Sequence, residues 1–265
     1  MVPIFFRKLQ MQNDLCQMRL GYLDIALERQ LFDTYQQAIV ALDGKDASVT
    51  FPHGVELLNR PIKSKNFENT EQFYSFFAAH GKSMLVDVFT AELGLLRWQK
   101  SLTNAGPAHD KKKIFVNVHL STLFSPEWEQ LLGKLSTNPS QIVLEISERE
   151  GLNTYSKAEV YQMISRIKTM GFQIAVDDLG MGYSGLYTLS VVQPDYVKID
   201  RQLVYKIDED AYRQHMMHAL MEYWLKEKVS VIVEGIERQE EVNFFQQCGA
   251  QFAQGYWFHR PEPVQ

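Results

Sequence analysis

The chain predicts a single α/β domain, a (β/α)8 TIM-like barrel, and three observations carry that expectation. Short β-branched apolar runs alternate with longer segments of helical period, the pattern of strands joined by crossover helices. The length of 265 residues is the usual size of one such barrel. Polar residues capable of chemistry recur where the apolar runs end, which in a barrel of parallel strands is one common face. With 45% hydrophobic and 22% charged residues the chain can bury a sizeable core, so disorder is excluded. No repeat, low-complexity tract or long linker divides it. The expected organisation is an N-terminal helical extension over residues 1–20 and a barrel over residues 21–265.

Taken in order, the strands are expected around Ala38–Leu42, Val49–Leu58, Ile114–Val118, Ile142–Ile146, Gln173–Val176, Tyr196–Ile199, Val229–Val233 and Phe252–Tyr256, all running parallel. Between the second and third, Asn69 opens a helix with Gln72 at the capping-box position, Phe73, Phe76 and Phe77 on the buried face and Gly81 as the stop. A second helix continues through Met84–Gln99, and Thr103–Lys113 (TNAGPAHDKKK) reads as a solvated surface loop. Val160, Met163, Ile164 and Ile167 recur at helical spacing before Met170 and Gly171, and Met216–Lys226 gives another apolar helix before the seventh strand.

Several function classes fall away on composition. A formal charge of -5 offers no net attraction to a nucleic-acid duplex, though it permits a small anion held through cations. Cys16 and Cys248 stand far apart with no CxxC or His/Cys spacing, which excludes a disulfide framework and a structural zinc and fits a reducing, cytoplasmic setting. The opening MVPIFFRKLQ is too short for a signal peptide, and no run of about 18 apolar residues exists to span a membrane. A soluble protein is expected.

The strand ends carry Glu56, Asn117, Glu145, Asp177 with Asp178, Lys198, Glu234 and Gln254. Singly, each has a plain reading: Asp177 and Asp178 could cap a helix, Asn117 could satisfy a loop, Lys198 could be a surface charge, and Glu145 could pair with Arg149. Together they would converge at one barrel mouth. Carboxylates a few ångströms apart raise each other's pKa and repel, and divalent cations relieve that. Oxygen-only ligation suits Mg²⁺ or Mn²⁺, and a pair of such ions suits in-line displacement at phosphorus.

The motifs GVELLNR (Gly54–Arg60), VNVHLS (Val116–Ser121), LEISE (Leu144–Glu148), VDDLGMGYSGL (Val176–Leu186), DYVKID (Asp195–Asp200), VEGIE (Val233–Glu237) and QGYWF (Gln254–Phe258) resemble, in order and spacing, the EAL-domain family of cyclic di-GMP phosphodiesterases. FDTYQQAIV (Phe32–Val40) resembles its first strand, with Gln37 at the glutamine position. The resemblance implies hydrolysis of cyclic di-GMP to linear pGpG with two Mg²⁺ or Mn²⁺ ions. It implies Glu56, Asn117, Glu145 and Asp177 around the first ion, and Asp177, Asp178 and Glu234 around the second. By the same likeness Lys198 sits beside the attacking water and Arg60 grips a phosphate; Asp200, two residues on and on the same strand face, is expected to hold Lys198 in place. Gln37, Glu237 and Gln254 are candidates for substrate contact, and Glu148 anchors the loop that follows Asp178. Dimers are common in the family, although nothing in this sequence fixes an interface.

The chain departs from the family pattern at Leu57 and Asn59, and in the loop at Leu179, Met181 and Gly185. Leu57 should point away from Glu56 on a strand of period two. AELGLLRW (Ala91–Trp98) imitates the signature, but Glu92 lies in a helical pattern and too near Asn117 to be its partner. His119 is not expected to bind metal, and Tyr183 and Trp257 are expected to pack rather than stack on bases. The alternative reading is a catalytically weak or inactive receptor for the dinucleotide or a protein-interaction module; a metal-dependent lyase barrel is the third.

Overall fold

Period-two alternation decides which side chains of each strand enter the barrel and which face the surrounding helices. The computed structural model describes residues 16–27, 29–42, 52–62, 66–102, 112–135, 137–147, 154–180 and 185–264. Helix α1 (16–27) leads into strands β1 (Phe32–Ala41) and β2 (Pro52–Pro61), then helices α2 (Thr70–Ala79) and α3 (Ser83–Leu102). There follow β3 (Lys113–Asn117), α4 (Leu120–Leu123), α5 (Pro126–Lys134), β4 (Ile142–Ser147), α6 (Lys157–Thr169), β5 (Gln173–Leu179) and α7 (Gly185–Val192). The last third holds β6 (Tyr196–Ile199), α8 (Arg201–Val204), α9 (Ala211–Lys226), β7 (Ser230–Val233), α10 (Gln239–Gln247), β8 (Phe252–Ala253) and β9 (Glu262–Pro263).

The strands run in the order β2-β3-β4-β5-β6-β7-β8-β1, and a β1–β2 pairing closes the ring, while β9 adds to β1. This is the (β/α)8 barrel that the alternation predicts, with one correction. Strands β2 to β8 are mutually parallel, but β1 is antiparallel to both β2 and β8. The physical reason is the short connection from Ala41 to Pro52, which permits a hairpin and leaves no room for the crossover that a parallel pair requires. Strand β1 is also longer at its start than its apolar run.

The remaining elements follow their local chemistry. Asn69 caps α2 by accepting from the Gln72 N–H, and Gly81 leaves the helix at φ +66°. Phe73 and Phe77 are buried as expected, whereas Phe76 is half-buried and lies under Arg19 of α1. Leu23 and Ala26 of α1 join Phe32, Phe73, Phe77 and Val86 in one cluster, so α1 packs on the α2–α3 side of the barrel. Helix α6 opens on a Ser156–Glu159 capping box and buries Val160, Ile164 and Ile167. The loop expected over Thr103–Lys113 lies largely outside the described residues.

Inside the ring, Ile39, Phe115, Val143, Ala175, Tyr196 and Ile232 form a dry plug. His53 closes it from below, stacked on Phe252 at 3.8 Å and 3.2 Å from the Tyr196 hydroxyl. Burial, with help from Lys113, lowers the His53 pKa to about 4, so it packs there as a neutral ring. Outside the ring, Leu57 does point away from Glu56, into the cluster with Ala91, Leu95 and Trp98 of α3. Asn59 faces the same way: it accepts from the Thr34 hydroxyl at 2.8 Å and donates to the Thr90 carbonyl at 3.0 Å. Gly94 makes room for both, since a Cβ there would come within 3.1 Å of Asn59 and 3.5 Å of Leu57. The two departures at 57 and 59 are therefore packing changes on the helix side. Gly94→Val should cost about 1–3 kcal/mol by overpacking, read as a lower denaturant midpoint at unchanged slope, and should cost less in a Leu57→Ala background.

Candidate active site

Each strand contributes one polar residue two positions beyond its plug residue, on the same inward face. Thus Phe115 is followed by Asn117, Val143 by Glu145, Ala175 by Asp177, Tyr196 by Lys198, Ile232 by Glu234 and Phe252 by Gln254. Because β1 runs the other way, its contribution, Gln37, precedes Ile39, and register places Gln37 opposite Glu56 of β2. A polar layer lies directly on the dry plug.

Lys198 stands at the centre, 1% exposed. Its Nζ lies 2.7 Å from Glu145 Oε1, 2.9 Å from Glu234 Oε1, 3.2 Å from Asp177 Oδ1 and 3.4 Å from Glu56 Oε2. Burial alone would depress its pKa, but Asp177, Glu145, Glu234 and Glu56 hold it well above the ordinary value, so the ammonium is charged. Burial and the neighbouring Glu56 charge push Glu145 well above the usual carboxylate range; burial chiefly does the same to Glu234. Glu56 moves the other way. Burial opposes its ionisation, but Lys198 and donated hydrogen bonds from Gln254 (2.8 Å) and Asn117 (3.0 Å) hold its pKa below the ordinary value. Gln254 also donates to Gln37, which donates to the His259 carbonyl at 3.0 Å. Gln37 and Gln254 are thus buried against Glu56 while lining the adjoining cleft.

Asp178 needs a separate explanation, because strict alternation would turn it away from Asp177. The β5–β6 register shifts between Val176 and Leu179, and Asp178 takes the left-handed conformation at φ +58° with its N–H on Asp177 Oδ1. One oxygen each from Asp177, Asp178 and Glu234 consequently lie within 4.8 Å of one another. The helix-cap reading of the pair does not hold: both residues lie within strand β5, which runs on to Leu179.

The donor set fits divalent cations. One ammonium faces four carboxylates, and the buried Glu145 Oε2 has no hydrogen-bond partner among the described residues. Asn117 spends its amide N–H on Glu56, which leaves carbonyl oxygen chemistry for a cation. Asp177, Asp178 and Glu234 offer the three-oxygen group just described, while Glu56 and Glu145 contact Lys198 and Asn117 contacts Glu56.

Two clefts flank this centre. One of about 540 Å³ is lined by Asn117, Glu145, His119, Arg60 and Asp87; the other, of about 260 Å³, by Glu56, Glu234, Gln254, Glu237 and Tyr256. Arg60 is exposed, its guanidinium 4.8 Å from the centre of the Tyr35 ring. Glu237 forms a two-point pair with Arg201 at 2.8 Å. Asp200 does not hold Lys198; its carboxylate caps α8 at the Gln202 N–H, because it sits where β6 has already turned into the helix. Trp257 is 45% exposed rather than packed, since it belongs to a turn beyond β8. Glu148, Met181 and Tyr183 lie outside the described residues, while Leu179 is buried in strand pairing with Ile199. Glu92 is exposed on α3.

Sequence reading missed Asp87. Buried in α3, it accepts from the His119 N–H (2.8 Å), His119 Nδ1 (2.9 Å) and the Thr122 hydroxyl (2.6 Å), and so orients the His119 ring on the cleft wall. An acidic residue on the apolar face between Val86 and Thr90 was the available signal.

A family model described as the EAL domain matches residues 22–261. The chain belongs to the EAL domain family. The probable cyclic di-GMP phosphodiesterase PdeG of Escherichia coli K12 is 32% identical over 152 residues, covering 56% of this chain and 30% of PdeG. This EAL domain therefore spans under a third of that relative. Among solved structures, the EAL enzyme Bd1971 in its cAMP- and cyclic-di-GMP-bound form has a TM-score of 0.81 at 23% identity, over 97% of this chain and 69% of that one. The manganese and cyclic di-GMP complex of Klebsiella pneumoniae BlrP1 has a TM-score of 0.70 at 23% identity, over 88% and 57%. No helix of the described residues is long and apolar enough to cross a membrane.

Lys198→Ala should lower stability by about 3–5 kcal/mol, because it strands buried carboxylates without a counter-charge. Calorimetry should show a lower Tm that millimolar Mn²⁺ partly restores; an unchanged Tm would contradict the central role given to the ammonium.

Proposed function

We propose that this EAL domain hydrolyses cyclic di-GMP to linear pGpG, with two divalent cations, Mg²⁺ or Mn²⁺, at the strand-end carboxylates. The observation that carries the reading is a buried ammonium among four carboxylates, of which Glu145 lines one flanking cleft and Glu56 and Glu234 line the other. Glu56, Asn117, Glu145 and Asp177 would hold one cation, and Asp177, Asp178 and Glu234 the other. When bound, such ions acidify a water and neutralise charge on the phosphoryl oxygens.

The chain's own groups do the rest. Lys198, already charged and fixed by its neighbours, orients the attacking water or an equatorial oxygen. Arg60 receives the non-reacting phosphate, a task suited to a planar guanidinium. The Gln37–Gln254 pair fixes the Glu56 carboxylate and Glu237 lines the smaller cleft, which makes them supports of binding rather than of the displacement. Water adds to phosphorus, one ester P–O bond of the ring breaks, and the departing ribose oxygen takes a proton. Glu148 would steady the loop after Asp178. We read residues 21–265 as the catalytic unit and 1–20 as an extension, with a cytoplasmic location suited to free Cys16 and Cys248 and a homodimer as the expected assembly.

Product analysis by chromatography after incubation with cyclic di-GMP tests this. Linear pGpG should form with Mg²⁺ or Mn²⁺, fail to form with Ca²⁺, which prefers more ligands at longer distance, and stop in chelator. Lys198→Ala should lower kcat by at least about 100-fold while dinucleotide affinity stays within about tenfold. Tight binding with no pGpG from the wild type would instead support a receptor.

A further inference from the structure

Above the polar layer, the inward face of the β1–β2 ribbon continues in unbroken register: Gln37 opposite Glu56, Tyr35 opposite Leu58, Asp33 opposite Arg60. Four residues of strand separate Glu56 from Arg60, about 13 Å at strand rise. At the far end of this ladder lies a cavity of about 590 Å³, whose walls include Asp33, Tyr35, Arg60, Tyr22 and Phe67. It adjoins the 540 Å³ cleft through Arg60 and Thr70, which line both. Asp33 faces Arg60 across the ribbon, yet the guanidinium lies over Tyr35 instead, and the exposed Asp33 carboxylate has no hydrogen-bond or ion-pair partner among the described residues.

We propose that this cavity is a guanine-reading subsite in which Asp33 is the specificity-determining residue; the assignment rests on the cyclic dinucleotide reading above. A carboxylate is acceptor-only and offers two oxygens. The Watson–Crick edge of guanine offers two adjacent donors, N1–H and the N2 amino group, whereas adenine offers one donor beside an acceptor. Asp33 therefore accepts two hydrogen bonds from guanine and faces a repulsive lone pair with adenine. Tyr35 and Tyr22 supply aromatic faces for the purine, and Arg60, held over Tyr35, remains at the junction between base and phosphate. Tyr22 comes from α1, so the helix that precedes β1 helps build the subsite.

The test compares wild type with Asp33→Asn, a substitution at an exposed position that leaves the core untouched. Steady-state turnover of cyclic di-GMP and cyclic di-AMP is measured with Mn²⁺, and binding of both by calorimetry with Ca²⁺. Asp33→Asn should raise KM and Kd for cyclic di-GMP about tenfold or more, with kcat within about twofold, and should narrow the guanine-over-adenine preference, because an amide pairs a donor and an acceptor with adenine. Turnover intact with KM and preference unchanged in the variant would overturn the subsite and leave the phosphodiesterase reading standing. A wild type that binds but does not hydrolyse, with binding weakened in Asp33→Asn, would uphold the subsite and sink the phosphodiesterase. A wild type that neither binds nor hydrolyses would overturn both.

Discussion

Everything at the mouth of this barrel is organised by one buried positive charge. Lys198 reaches the axis from β6 and meets carboxylates delivered by β2, β4, β5 and the end of β7. An ion pair at a surface contributes little, because water competes for both partners. Here the ammonium is buried on an apolar plug, where water competes less and each contact is correspondingly stronger. Burial makes the ammonium costly, and the neighbouring carboxylates keep it charged, since loss of its proton would leave them in mutual repulsion. Gln254 completes the balance by donating to Glu56, and Gln37, which accepts from Gln254, holds that amide in place.

The plug is therefore as much a part of the site as the polar residues above it. Phe115, Val143, Ala175, Tyr196 and Ile232 fix the depth at which the next inward residue of each strand appears, and they set the dielectric beneath it. The reversed first strand changes the bookkeeping of sequence without changing this geometry. Its polar residue comes before its plug residue, and the hairpin partner Glu56 meets it across the ribbon. On the outer face, the substitutions at Leu57 and Asn59 are absorbed by Gly94, so helix packing and ligand placement vary independently.

The fold and the inward ladder of polar residues were legible because period-two alternation is local: once β3 is set by Ile114 and Val116, Asn117 must follow Phe115 inward. The reversal of β1 was not, since strand direction depends on the length of a connection rather than on residue type. The role given to Asp200 failed for a related reason. Strand periodicity was extended past the point where β6 ends, and the residue caps a helix instead. Trp257 was assigned to packing by its hydrophobicity, but it stands in a turn outside the last strand. Asp87 escaped notice because its partners, His119 and Thr122, are distant in sequence and are brought to it only by the packing of α3.

The bulge at Asp178 has a consequence for how such a site can change over time. A barrel wall supplies at most one inward side chain per strand at a given height, so a regular ring of eight has a fixed capacity. The extra residue at Val176–Leu179 raises that capacity by one. A point substitution at 178 removes a single oxygen donor and can be reversed by another point change. Deleting one residue from the bulge would instead restore regular alternation, with Leu179 still paired to Ile199, and leave no place for a second inward carboxylate. The site is thus more tolerant of changed letters there than of a changed count, and loss of ligand capacity by deletion would be hard to undo.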